Sequence, residues 1–389
     1  MLGYVLARGG IDVAVLERHA DFFRDFRGDT IHSSTLDTLA ELGLLDEFLR
    51  EVPHTELDHF QIRIGSQLVP GPDFSRLPTR CKFIALTPQW DFLNFLADKA
   101  KRFSGFHLLM QTDFKDLIYD AGRVSGVIAT TPEGALTIQS DLVVGCDGRH
   151  STVRQKAGLE SINLSAPIDV LWMRISRVPD DPDQVLGVLG DDKGMVMLNR
   201  TAYWQCAFLI AKGGLDAVRH RGIAAFRNDV SALAPFLRGR VNELQAWDNI
   251  KLLSVKVDRL KRWFRPGLLC IGDAAHAMSP VGGVGVNLAI QDAIATANTL
   301  YRPLHDRCVK LTDLESVQRR RESPTKDTQA FQVFIGKNLV SILRNGQGLR
   351  RMRPVIFVLR NLPFARRLAA RAVGLGFRPE HVATPEATS

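Results

Sequence analysis

The chain has 389 residues, 45% of them hydrophobic and 24% charged, enough to bury a sizeable core, and this predicts a globular protein of two lobes. Five cysteines (Cys81, Cys146, Cys206, Cys270, Cys308) lie scattered with no C-x-x-C pair, which argues against a zinc site or a disulfide framework and for a reducing cytoplasm. The net charge is +8, yet ten basic residues and no acidic one fall between Ala330 and Arg378, so the basic character belongs to the tail. The short stretch Met1–Ala7 does not read as a signal peptide, and no apolar run reaches the ~18–20 residues of a spanning helix.

In chain order, residues 2–8 read as the last turns of a helix, Gly9-Gly10 as its stop, and DVAVLERH as a buried strand ending at Glu17 and Arg18. That is the second half of a β-α-β dinucleotide unit, in which an acid about 20 residues after a G-x-G-x-x-G loop takes the adenosine ribose. Glu17 stands too close to Met1 for that loop, so it is either such an acid or a surface glutamate at a strand end. Arg24 and Arg27 follow in a polar loop, suited to a pyrophosphate or simply to solvent. Leu36, Leu39, Leu42 and Leu45 then mark the inner side of an amphipathic helix.

Residues 56–70 alternate like strands, and Pro70, Pro72 and Pro78 are expected to break the pattern. Thr87-Pro88-Gln89 opens a helix at WDFLNFLADKAKRF, where Gln89 could cap or reach a cofactor. Four short strands follow, with a turn at Ala121-Gly122. In SDLVVGCDGRHSTVR a buried strand turns at Cys146-Asp147-Gly148 and a helix starts at Ser151–Arg154, the arrangement in which open α/β sheets place ligands.

From Pro167 to about Val257 the β-branched and aromatic content predicts an antiparallel sheet interrupted by a helix at Leu215–Leu237. Arg174, Tyr203, Trp204 and Gln205 are candidates for its pocket side, but alternation alone does not say which face is inward. Residues 267–298 then give a second strand, a Gly272-Asp273 turn, Gly282, Gly283 and Gly285, and a helix whose N-terminus favours negative charge. Leu311–Ser323 reads as a charged helix broken at Pro324. The arginine-studded tail reads as core-packing helices, a partner helix or a contact with an anionic membrane.

The order Glu17, Arg27, Gln89, Cys146-Asp147-Gly148 and Gly272-Asp273, with RDFRGDTIHSSTLDTLAELGLLDEF, resembles FAD-dependent monooxygenases of the 4-hydroxybenzoate hydroxylase type. The resemblance spans most of residues 1–330. It implies an α/β fold: a Rossmann-like FAD-binding domain (1–55, 78–165 and 259–325), a mixed or antiparallel substrate-binding sheet (56–77 and 166–258) and a helical tail (326–389). The family's first strand and its G-x-G-x-x-G do not appear, and by spacing roughly 15–25 residues would be needed before Met1 to supply them.

The resemblance further implies site roles. Glu17, beside Arg18, would take the adenosine ribose, Arg27 would lie over the pyrophosphate, and Gln89 would bond the ribityl or phosphate region. Asp147 and Gly148 would sit near the flavin and nicotinamide. Asp273, after Gly272, would accept from a ribityl hydroxyl, while Pro280, Gly282, Gly283, Val284, Gly285 and Asn287 would line the flavin ring. NAD(P)H would reduce FAD, and oxygen would pass through a flavin hydroperoxide to an electron-rich aromatic substrate, with no metal and no protein nucleophile. Halogenation, isoprenoid reduction and an inactive flavoprotein remnant are the alternatives. Expected partners are a small aromatic substrate, a second copy as homodimer and a membrane's inner face touched by the tail; nucleic acid is not expected, since aliphatic rather than stacking residues interleave the arginines.

Overall fold

The computed structural model describes residues 1–23, 30–164, 166–182, 185–190, 192–345 and 348–387, which leaves Arg24 and Arg27 outside the described residues. Helix α1 (Leu2–Arg8) buries Tyr4 to Ala7 and leads through Gly10, at φ +81°, into β1 (Val13–Leu16). Strand β2 (Thr30–Ile31) precedes α2 (Ser33–Glu41) and α3 (Leu45–Glu51). The predicted leucines Leu36, Leu39, Leu42 and Leu45 are all buried, but on two helices parted by Gly43 at φ +72° rather than on one.

Strands β3 (Thr55–Leu57), β4 (His59–Ile64), β5 (Gln67–Asp73) and β6 (Ile84–Leu86) lead to α4 (Gln89–Ala100). Contrary to expectation, Pro70 and Pro72 lie inside β5. That strand is at the edge of its sheet, where a missing N–H faces no partner.

Strand β7 (Phe106–Leu109) pairs parallel with β1, and β8 (Asp113–Asp120), β9 (Arg123–Thr131) and β10 (Gly134–Gln139) form an antiparallel meander. Its first turn is Ala121-Gly122, both at positive φ (+46° and +81°), which matches the twist of a tight hairpin. Strand β11 (Val143–Gly145) precedes α5 (Thr152–Lys156) and β12 (Ser161–Asn163).

The large sheet adds β13 (Ile168–Ser176), β14 (Val185–Leu189), β15 (Gly194–Asn199), β16 (Tyr203–Ala211) and, after α6 (Leu215–His220) and α7 (Gly222–Leu233), β17 (Lys251–Leu253). Among the described residues its strand order is β17-β13-β16-β15-β14-β4-β5, antiparallel except where β14 meets β4 in parallel. Residues 59–73 therefore share one sheet with residues 168–253.

The chain returns through β18 (Asp258–Leu260), paired with β12, then β19 (Phe264–Arg265) and β20 (Leu268–Cys270), the last parallel to β11. Helix α8 (Gly285–His305) crosses the cores built on α1–α4 and on β8–β11. Helix α9 (Leu311–Asn345) carries Pro324 in its interior, where a break is expected from sequence. Side-chain bonds from Gln329 and Gln332 to neighbouring carbonyls hold that helix against the domain. The last helices, α10 (Gly348–Asn361) and α11 (Pro363–Gly374), lie against β5 and cover Phe74 and Leu77.

Candidate functional site

Strand β20 is wholly buried, and its chain turns at Gly272, where φ is +57° and an added Cβ would stand 3.0 Å from Ala289 Cβ. Asp273 lies in the short 3₁₀ turn that follows. After Pro280 a second turn runs Val281–Gly283, with Gly282 and Gly283 at φ +79° and +63°. A Cβ on Gly283 would sit 2.3 Å from Thr30 Oγ1, so only glycine lets the loop lie against β2. Helix α8 starts two residues later with no side-chain cap. The first amides of this 21-residue helix, together with its dipole, therefore present a site for negative charge.

Distant side chains hold this turn in place. Asp292, fully buried on α8, accepts from Gly272 N–H (3.1 Å) at Oδ2, where His276 Nε2 also lies at 2.5 Å, and from Arg321 Nε (2.9 Å) at Oδ1. Burial would raise the Asp292 carboxyl, but His276 and Arg321 more than offset it and hold it below the usual carboxylate range. Arg321 reaches Glu380, which Arg320 grips with both nitrogens.

On the other side, Arg154 of α5 donates to Asp258 (3.2 and 3.4 Å) and to the Ala274 carbonyl (3.3 Å). From α9, Gln329 donates to the Asp258 and Ala277 carbonyls, and Gln332 to those of Ser279 and Val281. These are buried, charge-assisted or paired contacts, the kind that fix one backbone conformation.

Asn287, in the first turn of α8, spends both ends of its amide locally. Its oxygen accepts from His32 N–H and Thr35 Oγ1, and its nitrogen donates to the Thr30 and Gly283 carbonyls. It ties the glycine loop to β2 and α2. His32 in turn donates from Nδ1 to the Val373 carbonyl of α11 at 2.7 Å, and burial lowers its imidazole to about 4. The tail thus touches the glycine loop's neighbours directly.

Asp147 and Gly148 lie beside the Gly272 turn, because β11 and β20 are parallel neighbours and Ile271 N–H donates to the Gly145 carbonyl. The Asp147 carboxylate accepts from Ser151 Oγ and from Val153 N–H (3.0 Å), and so closes the start of α5. Gln89 is the first residue of α4 and follows β6, which pairs with β2 at Thr30 and Ile31. Glu17 and Arg18 follow the end of β1; Glu17 Oε1 accepts from His19 N–H, and Arg18 Nε donates to the His19 ring. Hence Gly272, Asp273, Pro280, Gly282 to Gly285 and Asn287 form one cluster with Asp147 and Gly148 alongside, while Glu17 and Arg18 stand on the β1–β7 pair.

The inward face of the large sheet follows from its register. Met173, Ile175, Trp204 and Cys206 point into a core closed by α7, so Trp204 is a packing residue, donating its ring N–H to Asp181 at 2.8 Å. The opposite face carries Val170, Trp172, Ala207 and Leu209 and meets Val281 of the glycine loop. Tyr203, Arg174 and Gln205 share that face, Arg174 opposite Gln205. Gln205 is buried and accepts from Arg200.

A flavin fits this arrangement at its ring and ribityl end. A glycine-lined loop admits a flat group close to backbone, a helix N-terminus faces it, and an apolar sheet face stands opposite. Sequence reading missed Asp292, Arg321, Glu380, Arg154, Asp258, Gln329 and Gln332. Their local signal was weak: Asp292, like His276, lies within residues 267–298, but the partners that bury it come from elsewhere in the chain.

Comparison with known proteins identifies the family and the fold. The chain is 30% identical over 355 residues to 6-methylpretetramide 4-monooxygenase of Streptomyces rimosus, covering 90% of this chain and 84% of that protein. Among solved structures, Pseudomonas aeruginosa PqsL in complex with 2-aminobenzoylacetate superposes with a TM-score of 0.75 at 19% identity, over 90% of this chain and 95% of that one. The OxyS anhydrotetracycline hydroxylase of Streptomyces rimosus gives 0.74 at 21% identity, over 97% and 74%. The family described as "FAD binding domain" matches residues 1–326, and the chain belongs to that family, as an FAD-dependent monooxygenase.

Proposed function

We propose that the chain hydroxylates a polycyclic or similarly electron-rich aromatic molecule bound between the glycine loop and the large sheet, with NAD(P)H as electron donor. The observation that carries this is the packing of Val281 against Val170, Ala207 and Leu209, which puts an apolar wall opposite the uncapped start of α8. The name of the Streptomyces relative, a monooxygenase of a methylpretetramide, favours a fused-ring substrate.

Bound FAD supplies hydride acceptance and oxygen activation. The α8 N-terminus stabilises negative charge at the ring, Asn287 and Gly283 fix the loop, and Asp273 takes a ribityl hydroxyl. Trp172, Ala207 and Leu209 exclude water from the aromatic ring, and Gln205 with Arg200 orients its oxygen substituents. Glu17 with Arg18, Arg27 and Gln89 serve the adenosine and phosphate end, and Asp147 with Gly148 the nicotinamide side. The chain works in the cytoplasm, its basic tail touching the inner face of a membrane.

The test is oxygen consumption by the purified flavoprotein with NADPH across a panel of fused-ring phenols, followed by product mass. Gain of one oxygen atom is expected. Ala207→Trp, which fills the wall, should raise KM for the best substrate about tenfold while leaving the bound-flavin spectrum unchanged. A product lacking new oxygen but carrying halogen or two added hydrogens would sink hydroxylation, and a colourless protein with no NADPH oxidation would sink catalysis.

A further inference from the structure

The five most exposed large apolar side chains among the described residues all lie in the tail: Phe364 (74%), Phe334, Phe357 (64%), Leu368 and Leu362. On α11, Ala370 and Gly374 face inward against Phe74 and Leu77, while Phe364, Arg367, Leu368 and Arg371 lie on the solvent side at helical spacing. On α10, Arg353, Phe357 and Arg360 form the equivalent outward row. A groove of about 420 Å³ runs between α10 and the β4–β5 turn, lined by Ser66 and Gln67 on one side and by Arg353, Arg360 and the exposed Phe357 on the other.

We infer that this face is a docking surface for an anionic lipid bilayer, with Phe357, Phe364 and Leu368 entering the acyl boundary and a phospholipid headgroup phosphate seated in the Arg353–Arg360 groove. Three observations select this occupant. No acidic residue falls between Ala330 and Arg378, so the face complements a uniformly negative surface rather than the mixed charge of a folded protein. Its apolar groups are convex protrusions on two short helices, the form that inserts at an interface and not the form that fills a partner's pocket. A second copy docked by two-fold symmetry would set these arginines against their own counterparts. The surface is separate from the flavin-site residues, so it holds whatever reaction the site performs. It would also deliver a lipophilic aromatic substrate to the protein by lateral diffusion.

The experiment is flotation of the full chain with vesicles of phosphatidylcholine alone, or with about one-third phosphatidylglycerol, at low and high salt. Binding to the anionic vesicles only, reduced at least tenfold by high salt, is expected. Phe364→Ser with Leu368→Ser should cut binding about tenfold, and Arg353→Gln with Arg360→Gln about fivefold, with melting temperature and far-ultraviolet dichroism unchanged. Absence of binding to both vesicles, or equal binding by the variants, overturns the proposal. So does a concentration-dependent dimer in sedimentation velocity that the same variants abolish, since the occupant would then be a second copy.

Discussion

Two strand-to-helix turns lie side by side at the ends of β11 and β20, and they are held by opposite means. The Asp147 turn is self-contained: its own carboxylate caps the helix six residues on. The Gly272 turn is held from outside, by Asp292 and Arg321 on one flank, Arg154 and Asp258 on another, and Gln329 and Gln332 across the loop. The helix that follows it has no side-chain cap. In the first turn the polar residue closes its own helix start. In the second, whose helix start carries no side-chain cap, the bracing comes from farther away, and the cost of burying it is offset by pairing Arg154 with Asp258 and Arg321 with Asp292.

Removing the outside support should break the second turn and spare the first. Arg321→Leu leaves buried Asp292 with His276 as its one charged partner and Glu380 with Arg320 alone, and a loss of about 3 kcal/mol in urea unfolding is expected, with loss of bound flavin. A smaller effect comes from acid. Burial lowers the His32 imidazole to about 4 from the ordinary value of about 6.5, so the unfolded chain binds the extra proton between those values and stability falls as pH drops through that window. Going from pH 7 to pH 5 should lower the unfolding free energy of wild type by about 2 kcal/mol more than that of His32→Gln. Smallest is the self-contained turn: Asp147→Ala removes a cap worth about 1 kcal/mol, and FAD retention should be affected less than in Arg321→Leu. Equal flavin loss in the two variants would erase the contrast between the turns.

Periodicity made the elements legible where one face decides burial. The four leucines of residues 36–45, the Ala121-Gly122 hairpin and the Gly272-Asp273 turn all read directly, because each signal is complete within a dozen residues. Burial of Asp292 beside Arg321 and Glu380 was not legible. The partners are separated by 29 and 88 positions in the chain, and each alone looks like a solvated charge. The sheet's inward face needed α7, since alternation across Arg174 and Trp204 is symmetric until something covers one side. Pro70 and Pro324 misled for a different reason. A proline forbids a donated bond, not a strand or helix as such, and it is tolerated where that bond has no taker or where neighbours hold the helix in place.

The Glu380 contacts have a consequence for the order of assembly. Glu380 neutralises Arg320 and Arg321, Asn298 is bonded to His381, Ala383 and Thr384, and Glu386 and Ala387 reach back to Arg8 on α1. The first helix of the chain is therefore finished by its last residues. During synthesis the large sheet can close while the tail is still in the ribosome, but the flavin lobe has to wait, with Arg321 and Asp292 unmatched, until residues 380–387 have emerged.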